Sequence, residues 1–206
     1  ALKGTISNAG NMQVLLEQLY FDQNTAPVAL GRVSCDAEGT FTVEQKEAFP
    51  EGLYRLTVGA KRMFFVLGGD EKTVSFTGDL ETIDRLQIEV EGSKTFKCYT
   101  DVVKELVKAN QMTPDMAQGF INKACTPLMK AFFTAQLLGR NAGDHLDDFK
   151  SANTALAAAM PGSPYATEFA KMVTNVEQQI QQQQQQQAAA PIRVGQPAPE
   201  ISLEGP

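Results

Sequence analysis

The chain has 206 residues, with 43% hydrophobic and 20% charged side chains and a net charge of −6. That composition suits one large or two small globular domains, and the acidity, with no cluster of Lys and Arg, argues against a nucleic-acid partner. No apolar run approaches the roughly 18 residues that a membrane helix needs, so no transmembrane segment is expected.

Residues 1–92 read as β-structure. Leu2–Ser7 is a short strand followed by an Asn8-Ala9-Gly10-Asn11 turn. The chain opens directly in this strand pattern, so the expectation is that any targeting segment has been removed or never existed. Met12–Tyr20 and Val28–Cys35 follow, then an Asp36-Ala37-Glu38-Gly39 turn into Thr40–Val43. Gly52–Val58 alternates, with Leu53, Arg55 and Thr57 on one face and Tyr54, Leu56 and Val58 on the other. Arg62–Leu67 is an apolar run suited to burial on both faces, which makes core the expected place of Phe64. Lys72–Phe76 and Leu86–Gly92 complete the set. Strands separated by turn signals about every 8–12 residues indicate a sandwich or barrel. Their short connections predict antiparallel pairing.

From Ser93 the period changes to about 3.6, the helical value. Ser93 is the expected cap, and Phe96, Tyr99, Val102, Val103, Leu106 and Val107 form one stripe. Thr113-Pro114-Asp115 starts a second helix with Met116, Phe120, Ile121 and Ala124 on a face. Thr126-Pro127 starts a third, with Leu128, Ala131, Phe132, Ala135 and Leu138 inward, ending near Gly139 or Gly143. Residues 144–160 give a fourth, stopped by Pro161-Gly162. Ser163-Pro164 caps the last, whose stripe is Tyr165, Phe169, Met172, Val173, Val176 and Ile180. This stripe is read as core packing or docking onto the β-domain. Gln181–Gln187 and Ala188–Ala190 follow without an apolar face: a helix running into solvent, since Gln and Ala favour helix, or a disordered tract. In both cases the segment is a spacer.

The C-terminal Val194-Gly195-Gln196-Pro197-Ala198-Pro199-Glu200-Ile201-Ser202-Leu203 is extended, because its two prolines fix φ and remove backbone donors. It resembles the opening of thioredoxin-fold proteins, in the TlpA/ResA-like and alkyl-hydroperoxide-reductase/thiol-specific-antioxidant branch. Leu2–Asn8, Cys35–Phe41 and Gly52–Leu56 resemble, in that order, the small β-domain that precedes thioredoxin domains in envelope proteins of some Gram-negative bacteria. The D-x-x-G-x-F turn alone also occurs in transthyretin-like and carbohydrate-binding sandwiches.

The expected fold is α+β: an N-terminal antiparallel β-sandwich (1–92) followed by an α-helical segment (93–180), a Gln/Ala-rich linker (181–193) and the first residues of a truncated thioredoxin-like domain (194–206). The resemblance implies an accessory or presentation module of an envelope thiol-disulfide oxidoreductase. Its partners would be the downstream thioredoxin-like domain, a protein substrate or a second copy. Its place would be the periplasm or cell envelope, with any lipid anchor on a cysteine before Ala1. The alternative is a free-standing binding module for a glycan, a peptide or an envelope protein, with Phe21, Phe49 or Phe64 as contacts.

No catalytic, cofactor-binding or metal residue is expected. Cys35, Cys98 and Cys125 are far apart in sequence, and an odd number makes a poor disulfide framework. They read as buried, inert thiols, with one bridge plus a free thiol as the other arrangement. Without a second nearby cysteine, dithiol exchange is closed to the chain. The single histidine, His145, lies in an acidic helix start and lacks metal-ligand spacing. Glu44, Glu47, Glu51, Asp70, Glu71, Asp79, Glu81 and Asp84 read as solvated acids of turns and strand faces. The chain therefore reads as non-catalytic.

Overall fold

The computed structural model describes residues 1–109 and 111–189. The architecture is α+β, with eight strands followed by helices. The strands are β1 (Leu2–Ser7), β2 (Gln13–Leu19), β3 (Val28–Ser34), β4 (Thr40–Val43), β5 (Gly52–Val58), β6 (Lys61–Leu67), β7 (Val74–Asp79) and β8 (Ile88–Glu91). They form two sheets, ordered β4-β1-β7-β8 and β3-β2-β5-β6. Every pairing is antiparallel except β1 with β7, which run parallel. Short turns do not reveal that pair. The chain leaves the first sheet after β4, builds β5 and β6 in the second, and re-enters beside β1 in the same direction.

Alternation sets the sandwich interior. Leu2, Ile6, Phe41, Val43, Val74, Phe76 and Ile88 from one sheet are buried, as are Val14, Leu16, Tyr54, Leu56, Val58, Met63, Phe65 and Leu67 from the other. Gly4 sits in the middle of β1, directly opposite Phe41 on one side and Phe76 on the other. A Cβ there would lie 2.2 Å from Phe41 Cε1 and 2.9 Å from Phe76 Cζ. The missing side chain is thus the space these rings fill. In the Asp36–Gly39 turn, Asp36 Oδ1 accepts from the backbone N–H of Glu38 and Thr40 at 3.0 and 2.7 Å. Gly39 holds φ +83°, the left-handed region that Gly enters without steric cost.

The helices are α1 (Lys94–Leu106), α2 (Pro114–Asn122), α3 (Pro127–Leu138), α4 (Leu146–Ala159) and α5 (Pro164–Ala189), with a 3-10 segment at Gly139–His145. The caps read from the sequence are made. Ser93, Thr113, Thr126 and Ser163 accept through their hydroxyls from the N–H of Phe96, Met116, Met129 and Ala166. The α2 face is offset from the expected one: Ala117 and Ile121 are buried, whereas Met116 is exposed. Val107 is likewise exposed, beyond the last turn of α1.

One hydrophobic core runs from the strands into the helices. Phe96 of α1 plugs the end of the sandwich, stacking on Phe65 at 4.4 Å and meeting Phe76 edge-on at 6.1 Å. Its helix is anchored by Glu71, whose carboxylate accepts from Ser93 Oγ (2.5 Å) and from the N–H of Gly68 (2.9 Å) and Gly69 (2.8 Å). The Gln-rich tract is helical through Ala189, as a continuation of α5. The segment read as a thioredoxin start, 194–206, lies outside the described residues.

Candidate functional site

The outer face of the second sheet is where strands and helices leave space. The register aligns Glu17 with Arg55 and Arg55 with Phe64 in one cross-strand row, and Leu19 with Leu53 and Leu53 with Val66 in the next. These side chains point away from the sandwich interior, because successive residues of a strand alternate faces. The helical layer approaches this face at one end and encloses a cleft of about 750 Å³. Its floor is Arg55 and Phe64 of the first row and Leu19, Leu53 and Val66 of the second. Its helical wall is Tyr99 of α1, Phe132 and Gln136 of α3, and Met172 of α5. Tyr20, Phe21 and Gln23, from the connection after β2, form its rim.

Each wall is held by a specific contact. Tyr99 lies parallel to Phe133 with ring centroids 5.8 Å apart, and Phe132 is 6.1 Å from Tyr99. The Tyr165 hydroxyl, on the first turn of α5, accepts from Leu53 N–H (3.0 Å) and Gln18 Nε2 (3.2 Å) and donates to the Leu19 carbonyl (2.7 Å). It ties α5 to the ends of β2 and β5 at the floor of the cleft. Burial raises the Tyr165 pKa to about 12, so this hydroxyl keeps its proton near neutrality. Burial also raises the Tyr99 and Tyr54 pKa values. One turn further along α5, the Glu168 carboxylate accepts from Phe21 N–H (2.8 Å), Asp22 N–H (3.0 Å) and Thr25 Oγ1 (2.8 Å), fixing the rim loop.

The polar side chains of the cleft are Arg55, Gln23, Gln136 and its tyrosines. Arg55 donates from Nε and Nη2 to the same Glu17 oxygen, each at 2.8 Å. A guanidinium has more N–H donors than this pair uses, which leaves Arg55 able to meet a carbonyl or carboxylate. Gln23 and Gln136 supply neutral amides. An aromatic and aliphatic surface with a few polar groups is what an apolar ligand with scattered hydrogen-bonding atoms requires.

The three aromatic residues singled out from the sequence divide. Phe64 is 44% exposed and lies on the cleft floor, contrary to its expected place in the core. The Arg62–Leu67 run is buried on both faces only over Phe65, Val66 and Leu67, because the helices cover one end of the sheet. Phe21 is at the rim, whereas Phe49 is 1% exposed and packs against Tyr54. Tyr20, Tyr99 and Phe132 carry no site signal in the sequence. Three separate elements bring them together, and no local pattern carries that information.

The cysteines also divide. Cys98 and Cys125 form a disulfide with a Cα–Cα distance of 6.5 Å, correcting the reading of them as buried thiols. The helical hairpin folds the residue before the α3 cap back onto α1, closing a sequence separation of 27 residues. Cys35 is the free, buried thiol, its pKa raised by burial and then by Asp36. His145 Nδ1 lies 3.4 Å from Asp148 Oδ2 at the start of α4. Of the acidic residues, Glu71 is buried and hydrogen-bonded rather than solvated. Nearby Glu51 has a raised pKa, first through burial and then through Glu71. Among the described residues, no group of three or more His, Cys, Asp and Glu side chains could hold a metal ion. None of the described helices is long and apolar enough to cross a membrane.

No protein-family model matches the chain, and no curated protein does. Among solved structures, 5-hydroxyisourate hydrolase of Klebsiella pneumoniae aligns with 16% identity over 45% of this chain and 97% of its own, with a TM-score of 0.30. An overlap of that quality supports no statement about the activity of this chain.

Proposed function

We propose that this chain is a substrate-binding module of an envelope thiol-disulfide oxidoreductase, holding an extended apolar segment of a protein in the cleft between the second sheet and the helices. The observation that carries the reading is the composition of the cleft. Phe64, Tyr20, Phe21, Phe132 and Met172 line it with aromatic and aliphatic side chains, with Arg55 and two amides to meet a peptide backbone. A glycan needs a denser set of hydrogen-bonding side chains around its hydroxyls, so peptide is favoured over sugar. The link to a redox enzyme rests on the resemblance of residues 194–203 and of the β-domain motifs. Assignment to the periplasm or envelope draws support from the Cys98–Cys125 disulfide, because such bonds persist in oxidising compartments.

Titration calorimetry with a reduced, alkylated client protein tests the cleft. Phe64→Asp should weaken binding by at least about tenfold, as expected for an aromatic anchor that the bound segment covers, and leave the circular dichroism of the folded chain unchanged. Undiminished affinity would refute the assignment, and competition by an oligosaccharide alone would favour the glycan reading. The redox link has a separate check: the coding sequence after Pro206 should contain Trp-Cys-x-x-Cys within about 30–40 residues, the length of a strand, a turn and a second strand.

A further inference from the structure

Beyond the cleft, and independent of it, we infer that the Cys98–Cys125 pair is an exchange site at which a dithiol reductant or a disulfide oxidant reacts with this chain. The two sulfurs are unequal. Cys125 is exposed and Cys98 is half-buried on α1, so an incoming thiolate reaches Cys125 Sγ first. Cys125 also immediately precedes Thr126, the cap of α3. The partial positive charge of that helix N-terminus favours a thiolate there. Both sulfurs lie 3.7 Å from the Lys123 carbonyl oxygen, a ready acceptor for an S–H once the bond opens.

The reaction balances as two thiol-disulfide exchanges. A thiolate of the reductant attacks Cys125 Sγ, the Cys98–Cys125 bond breaks, and Cys98 leaves as a thiolate and takes a proton. The second thiol of the reductant then attacks its partner sulfur in the mixed disulfide. Cys125 leaves as the thiolate favoured by the helix, and the reductant departs as a disulfide. Two electrons have passed to this chain. In reverse, the accessible Cys125 thiolate attacks an incoming disulfide and Cys98 resolves it.

The test uses the whole chain in native buffer with reduced glutathione, acid quenching and peptide mapping, while circular dichroism monitors the fold. The expected adduct is on Cys125, with Cys35 unmodified and the helical signal retained. Because access is the factor that exposure supplies, opening in buffer should proceed within about tenfold of the rate in denaturant. Opening only under unfolding conditions, or an adduct confined to Cys98, overturns the proposal. As a second measurement, Cys98→Ser should leave a Cys125 thiol that reacts with an aromatic disulfide reagent about tenfold faster than free cysteine at neutral pH. A rate equal to that of free cysteine would also overturn it.

Discussion

The hydroxyl of Tyr165 is the smallest group whose removal should loosen the junction of sheet and helices. Tyr165→Phe keeps the ring, and with it the contacts to Tyr20 at 5.4 Å and Phe21 at 5.9 Å. It removes one oxygen that serves the Leu53 N–H, the Gln18 amide and the Leu19 carbonyl. Each buried group left unpaired costs about 1–3 kcal/mol. With Leu53 N–H fully orphaned and the other two partly rescued, the loss should be about 3 kcal/mol. For a chain of this size that is a fall in Tm of about 6–12 °C. Urea unfolding followed by circular dichroism should show a lower midpoint at unchanged slope. Adding Gln18→Leu should recover part of the loss, because it removes one of the stranded donors. A loss below about 1 kcal/mol for the single variant, or strict additivity in the pair, would refute the claim that this hydroxyl organises the junction.

Three further outcomes rest on buried groups. Glu71→Gln removes the charge from a carboxylate that serves Ser93 Oγ and two backbone N–H groups, and should cost about 2–3 kcal/mol in urea unfolding. Gly4→Ala should destabilise by at least about 2 kcal/mol through overpacking against Phe41 and Phe76. Stability should also fall in alkali. Tyr165 ionises near pH 10 when unfolded and about 12 when folded, and burial raises the Tyr54 and Tyr99 values as well. A raised folded pKa on an acid means that the unfolded chain releases its protons first. The stabilisation is complete below pH 10 and is lost as pH rises toward 12, about 2–3 kcal/mol from Tyr165 alone. Urea midpoints at successive pH values would check this, together with tyrosinate absorbance. A flat profile would contradict it.

The strands and caps were legible because their signals are local. Alternation in Gly52–Val58 and hydroxyl residues before Pro114, Pro127 and Pro164 act within a few positions, and the structure makes each feature where the sequence placed it. The parallel β1–β7 pair was not legible, because it depends on which sheet the intervening chain joins. Phe64 was misplaced for a related reason. Its apolar neighbours describe the strand, but its exposure depends on how far α3 and α5 extend across the sheet. One bridge plus a free thiol was the second arrangement the sequence allowed, but which cysteines pair was hidden in the same way: a separation of 27 residues is bridged only once the α2–α3 turn brings Cys125 beside α1.

That turn has a consequence for the cleft. Cys98 and Tyr99 are consecutive on α1, with the cysteine facing the α2–α3 turn and the tyrosine forming part of the cleft wall. Phe132 and Gln136 stand on α3, whose cap is Thr126, next to Cys125. The covalent bond therefore fixes the spacing of the two helices that supply most of the wall. Yet Tyr99 is also held by Phe133, and α1 is held at its start by Ser93 and Glu71. These contacts are apolar packing and buried hydrogen bonds, neither of which involves sulfur. Opening the disulfide removes one constraint among several on α1, which Phe96 also anchors in the sandwich, while α2, which buries only Ala117 and Ile121, loses its covalent tie. The element freed by exchange is α2, and the wall of the cleft keeps its own supports.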